Sequence, residues 1–323
     1  MIIPDFARFA GKICLKGRLI KSLRDLIKYV GVSQNLGLHK IVQLKIWDYL
    51  AKPIKSSLDF IEQPLRGKFC DSKIWDKELS EKIASLIKED PQKLFKLANK
   101  IRIKNRKDIV SLCAIVNAKS GLCAEDCIFC SQSVHHKTDI ARYPFITAEQ
   151  ILEKAKEAAS IKASCFGIVT SGRGITSEKE ISIICSALQL IKQNLPSLHR
   201  SASLGIISKD KLLRLKKAGL ECLHHNLETS ERFFPNICTT HSYKDRLDTI
   251  KAAKEIGLEV CSGGIFGLGE NIRDRIALAL AIKELDVDSV PLNFLTPIKG
   301  TKCEAFDSMA PIEILKTIAI FRI

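Results

Sequence analysis

From residue 109 onward, short β-rich runs alternate with longer helical periodicities, and this alternation limits the possible folds more than any other feature. The β-rich runs fall at 109–116, 165–170, 202–207, 221–226, 258–262 and 289–295. Between them, helical patterns cover 148–161, 177–193, 209–218, 243–256 and 272–285, with a last one over 312–322. Strands separated by helices of this length predict an α/β fold with a parallel sheet covered by helices. Several strands end in polar or Gly-rich loops, where a (β/α) TIM-type barrel builds its site. Six strands are two fewer than a closed eight-stranded barrel needs, so the expected barrel is incomplete. Two earlier helices are expected at 79–88 and 91–102, the second with Asp90 as N-cap and Pro91 in its first turn.

The N-terminal part reads differently. Residues 1–60 hold 11 Lys/Arg against 4 Asp/Glu, so nearly half of the net charge of +15 lies in less than a fifth of the 323 residues. Apolar residues at helical spacing through Leu19, Ile20, Leu23, Leu26 and Ile27 predict short helices here. Two parts follow: a basic helical extension, 1–74, and the barrel, 75–323. A basic leader can meet nucleic acid or an anionic membrane. This one lacks aromatic–basic interleaving and Arg/Gly repeats, which favours a solvated extension and no nucleic acid. Asp5, Asp25 and Asp48 argue against a mitochondrial transit peptide. No apolar run reaches the ~18 residues of a membrane span, and no secretory signal is evident. The 12 cysteines are therefore expected in the reducing cytoplasm, where thiols bind metal or react more often than they pair.

The strongest chemical signal is Cys123, Cys127 and Cys130, a C-x3-C-x2-C spacing just after the first strand. Three thiolates within eight residues can hold three irons of a [4Fe–4S] cluster and leave the fourth open to a non-protein ligand. A structural zinc is the alternative, but such sites usually join two C-x2-C-like units. Chance clustering in a Cys-rich chain is the other.

With Phe129 just before the last cysteine, this loop resembles the motif of the radical S-adenosylmethionine superfamily. Within it the chain resembles the biotin synthases. The likeness runs from about Trp75 to the C-terminus, through His224-His-Asn-Leu-Glu-Thr-Ser230, Tyr243-Lys-Asp-Arg-Leu-Asp-Thr249, the segment from Val260 to Glu270, and Val290-Pro-Leu-Asn-Phe-Leu295. The resemblance implies a sulfur-inserting enzyme that cleaves S-adenosylmethionine to a deoxyadenosyl radical and converts dethiobiotin to biotin, the last step of biotin biosynthesis. It implies that Asn226 and Asn293 contact substrate and that Glu228 and Arg246 contact S-adenosylmethionine. It also implies an electron donor such as flavodoxin or ferredoxin, and a homodimer. Gly263, Gly264, Gly267 and Gly269 are expected to allow close backbone approach to the cofactor.

Biotin synthases usually carry a second, [2Fe–2S], cluster held by three cysteines and an arginine. Cys165 and Cys261 match two of those cysteines. The third position falls on Ser201, whose oxygen suits iron less well than a thiolate. The arginine lies on a strand that the sequence does not reach, and Arg322 does not match it. Cys222 alternates with Asn226 along one strand, so the two share a face, and Cys222 is a candidate replacement ligand. Cys303 is a weaker one. Two other readings stay open: a related radical enzyme without sulfur insertion, and an inactive, truncated iron–sulfur protein.

Overall fold

The computed structural model describes residues 13–15, 18–20, 81, 85, 91–107 and 109–323. Near the N-terminus, β1 (Ile13–Leu15) pairs antiparallel with β2 (Arg18–Ile20). Helical spacing had placed Leu19 and Ile20 in a helix. Pairing Leu15 with Arg18 leaves a two-residue connection, Lys16-Gly17, a hairpin spacing that the apolar periodicity overlooks. The rest of the expected extension, and the Asp90 N-cap, lie outside the described residues.

The parallel wall is built from β3 (Cys113–Lys119), β4 (Cys165–Thr170), β5 (His199–Ser203), β6 (Cys222–His224) and β7 (Glu259–Cys261), hydrogen-bonded in chain order. A helix separates each pair: α2 (Ala148–Ser160), α3 (Glu178–Asn194), α4 (Lys209–Ala218) and α5 (Tyr243–Glu255). The chain then continues through β8 (Gly264–Phe266), α6 (Ile272–Glu284), β9 (Leu292–Phe294) and α7 (Pro311–Arg322). β8 and β9 pair with each other, and the bridges Glu228–Gly264 and Cys261–Ser289 join them to the larger sheet. Strands β7 and β8 thus form one stave interrupted at Ser262-Gly263. Among the described residues the wall has six staves, each followed by a helix, which is the winding of a β/α barrel.

Two strands sit away from their expected positions. The first begins at Cys113 because its register is set by pairing with Cys165, which leaves Ile109 and Val110 exposed. β5 ends at Ser203 because Gly205 turns the chain in a left-handed conformation (φ 70°). That turn carries Ile206 and Ile207 out of the sheet.

The core lies between sheet and helices. On α3, Ile181, Ile184, Leu188 and Ile191 recur at helical spacing and are fully buried. Each contributes about 1.5–3 kcal/mol of apolar burial. They share one cluster with Ile168, Ala202, Leu223 and Val260, the helix-facing side chains of successive strands. A second cluster packs α1 (Pro91–Arg106) against α6 and α7 through Leu94, Ala98, Ile276, Ala319 and Ile320. By strand alternation, the opposite faces point into the barrel.

Candidate active site

The loop after β3 is closed by its own backbone. Cys123 N–H donates to Gln132 O (3.0 Å), Val134 N–H to Cys123 O (2.8 Å) and Cys130 N–H to Cys127 O (3.0 Å). His136 Nδ1 meets Cys130 O at 2.8 Å. Gly121 turns the chain into the loop at φ 79°, and a β-carbon there would lie 2.7 Å from Arg142 Cγ. All three cysteines line one cavity of about 260 Å³ at the C-terminal ends of the strands. Cys123 and Cys127 are buried and Cys130 half-buried.

The opposite wall comes from the segment after β6. Asn226 Oδ1 accepts from Gly263 N–H (3.1 Å), and Asn226 Nδ2 donates to Glu228 Oε2 (3.3 Å). Glu228 holds a left-handed backbone (φ 70°), a conformation costly for a non-glycine residue and often found at functional sites. Its N–H donates to Gly263 O and its carbonyl accepts from Ile265 N–H, so the adjoining β7–β8 stave holds it there through both backbone groups. Burial pushes the Glu228 carboxyl up, and Arg246 and Asn226 offset this only partly.

Arg246 enters from the first turn of α5, whose capping box pairs Ser242 with Asp245. Its Nη1 donates to Asn226 O (2.9 Å) and lies 3.4 Å from Glu228 Oε1. Its Nε donates to His241 Nε2 at 3.0 Å, and its guanidinium lies 5.7 Å from the Phe234 ring centre. His241 Nδ1 in turn faces Glu125. With Nε2 accepting from an arginine, Nδ1 carries the proton and Glu125 accepts it.

The cysteine loop is tied to this wall. Ile128 N–H donates to Ile237 O (2.9 Å). Asp126 accepts from Thr239 N–H (2.9 Å), and Cys238 Sγ lies 3.3 Å from its Oδ1. Burial alone would raise the Asp126 carboxyl, but the bonds from Thr239, Cys238 and Thr240 outweigh it and hold the group well below the usual range. Cys127, Cys238 and His241 also converge, with their ligand atoms within 4.8 Å of one another.

The cavity therefore brings together Cys123, Cys127, Cys130, Asn226, Glu228 and Arg246. Asn293 is not among its lining residues; on β9 its Nδ2 donates to Gly264 O at 3.3 Å. A β-carbon at Gly263 would lie 1.9 Å from Pro291 O, and one at Gly264 2.3 Å from Glu228 O. These glycines make room for neighbouring strands. Glu125, Asp126, His241 and Arg173 went unremarked in the sequence. Glu125 and Asp126 lie inside the cysteine motif, and Thr240-His241 immediately precede an N-cap serine, which is the only signal they gave.

The donor set suits an iron–sulfur cluster with S-adenosylmethionine beside it. Three thiols from one loop open onto a cavity, and a guanidinium and a carboxylate stand across it. His225 also lines the cavity, with a buried Nε2 that has no hydrogen-bond partner among the described residues. Burial, then the nearby Arg246 charge, hold its pKa well below the ordinary imidazole value, so it is neutral. An orphaned buried polar atom in a polar cavity marks a place for a ligand group.

Deeper in the wall, Cys165 Sγ lies 3.6 Å from Ser201 Oγ, and Cys261 Sγ lies 3.3 Å from His224 Nδ1. Cys222 is fully buried on β6, in register with Ser201. Cys303 is buried within the apolar core.

Residues 119–282 match the model of the radical SAM superfamily. The chain is 45% identical over 261 residues to the biotin synthase of Geobacter sulfurreducens, covering 81% of this chain and 79% of that one. It is 49% identical over 242 residues to the biotin synthase of Thermotoga petrophila, covering 75% and 79%. Among solved structures, methylornithine synthase superposes with a TM-score of 0.66 at 22% identity, over 75% of this chain and 72% of that one. A maturase of the [FeFe]-hydrogenase gives 0.65 at 17% identity, over 77% and 59%. These two likenesses establish the shared fold. By sequence, by fold and by the placing of its cysteine loop, the chain belongs to the biotin synthase family of radical S-adenosylmethionine enzymes.

Proposed function

We infer that this chain inserts sulfur into dethiobiotin to form biotin. The observation that carries this reading is the single cavity that joins the three-cysteine loop to Asn226, Glu228 and Arg246. Cys123, Cys127 and Cys130 would hold the [4Fe–4S] cluster, which supplies reductive cleavage of S-adenosylmethionine when both are bound. Arg246 presents a planar fork that fits the carboxylate of that cofactor, and Glu228 offers an acceptor beside it. Asn226, fixed by Gly263 N–H, would orient substrate, and Asn293, on the sixth stave outside the cavity lining, is the further substrate contact that the family resemblance implies. The protein's own share is position and exclusion of water, because the cofactor carries the difficult step. Cys165 and Cys261 are the family positions for a second iron–sulfur cluster, and Ser201 stands at the third. The electron donor is a small redox protein such as flavodoxin or ferredoxin, and the enzyme works as a homodimer in the cytoplasm.

Ser201, in place of a thiol, favours a second reading, radical chemistry without sulfur insertion. Expression in a bacterium that lacks biotin synthase separates the two. Growth on dethiobiotin supports the first. No growth, with the protein abundant and its clusters loaded, overturns it.

A further inference from the structure

The inward face of the wall carries more thiols than the family positions use. Cys113, Cys165, Cys222 and Cys261 stand on β3, β4, β6 and β7, each at 5% exposure or less. The helix-facing side chains of these strands include Val116, Phe166, Ile168, Leu223 and Val260, all in the apolar core cluster, which contains none of the four cysteines. Alternation along each strand then turns all four thiols toward the barrel interior.

Register places them at one depth. Cys113 pairs with Cys165, Cys165 with His199, Ser201 with Cys222, and His224 with Cys261. Passing from Cys113 through Cys165, Ser201 and Cys222 to Cys261, the register climbs by zero, two, zero and two residues. An eight-stranded barrel of shear eight climbs one residue per strand on average at constant height. Cys113, Ser201 and Cys261 therefore share a layer, and Cys165 and Cys222 lie one residue below, on the order of 3 Å. Four thiols and one hydroxyl surround the same stretch of the barrel interior. The hydroxyl is engaged elsewhere: Ser201 Oγ donates to Phe166 O at 3.4 Å and accepts from Cys165 Sγ.

We propose that Cys113, Cys165, Cys222 and Cys261 together bind the second iron–sulfur cluster as an all-thiolate set, with Ser201 left out of the ligand shell. The proposal rests on the reading that the barrel holds such a cluster. Its chemistry follows from the donors, since four thiolates are the ordinary complement of an iron–sulfur cluster and iron–sulfur sites select thiolate over hydroxyl. It assigns Cys113 a role that sequence reasoning did not find, and it explains how the chain tolerates serine at position 201.

The test uses the full chain, reconstituted anaerobically with iron and sulfide. The Cys123→Ala/Cys127→Ala/Cys130→Ala background isolates the second site. We expect this background to retain bound iron and sulfide with cluster absorption in the visible range. Adding Cys113→Ala, or the nearly isosteric Cys222→Ser, should remove most of that iron; adding Ser201→Ala or Cys303→Ala should not. Far-ultraviolet circular dichroism confirms that each variant is folded before its iron is counted. Unchanged iron and Mössbauer parameters in folded Cys113→Ala and Cys222→Ser overturn the proposal, as does loss of iron in Ser201→Ala. A background that binds no iron at all overturns the second-cluster reading itself, and the proposal with it.

Discussion

A guanidinium on the first turn of a helix is ordinarily solvated, but Arg246 is drawn inward by three partners. The Asn226 carbonyl and His241 Nε2 accept from it, and the Phe234 ring packs beneath it. Nothing in the spacing of Asp245, Arg246 and Asp248 announces this, because neither acid lies three or four residues away. Only the resemblance marked Arg246, whereas the cysteine triplet was legible from its spacing alone. Arg246→Lys keeps the charge and loses the fork. We expect KM for S-adenosylmethionine to rise about tenfold or more while the iron content stays that of the parent. An unchanged KM would remove Arg246 from the cofactor's binding set.

Among the elements, the joint between β7 and β8 is the most sensitive. Gly263 sits where a β-carbon would be 1.9 Å from the Pro291 carbonyl oxygen, a backbone atom that cannot step aside cheaply. Gly263→Ala should cost about 1–3 kcal/mol, read as a lower denaturation midpoint; a midpoint equal to the parent's would mean that the strands do not approach so closely. The N-terminus of α6 gives a second prediction. The buried carboxylate of Asp274 accepts from Ser230 Oγ (2.7 Å), Arg232 Nε (3.0 Å) and Asn271 N–H (3.0 Å). Burial raises its pKa, but the bonds from Ser230 and Arg232 outweigh burial and lower it. A lowered folded pKa adds stability above the unfolded value, near 4, which is lost as pH falls through the folded value. Asp274→Asn should therefore cost about 1–3 kcal/mol at neutral pH, and the gap from the parent should shrink below about pH 4. A gap independent of pH would exclude the charge as its source. Strand and helix order was legible because apolar periodicity follows local geometry. The interruption at Ser262-Gly263 was not, because it is set by pairing with β9, some thirty residues away.

At the scale of the molecule, the barrel sorts its chemistry by depth. The cavity with Cys123, Cys127 and Cys130 lies at the C-terminal strand ends, and the four-thiol layer lies further down the wall. The lower thiols are all buried, and substrate held between the two sites would be shielded from water and from stray thiols. The spacing of three cysteines disclosed the upper site; the lower one spreads over strands more than a hundred residues apart, from Cys113 to Cys261. Only the register shows that these residues lie within one residue of one another in depth. The arrangement as a whole makes one product, and its most direct measurement is anaerobic turnover of the reconstituted chain with dethiobiotin, S-adenosylmethionine and reductant, with biotin and deoxyadenosine quantified together. Biotin should form with deoxyadenosine in a fixed ratio, and neither should form in the Cys123→Ala/Cys127→Ala/Cys130→Ala chain. Deoxyadenosine accumulating without biotin would contradict sulfur insertion as the function of this chain.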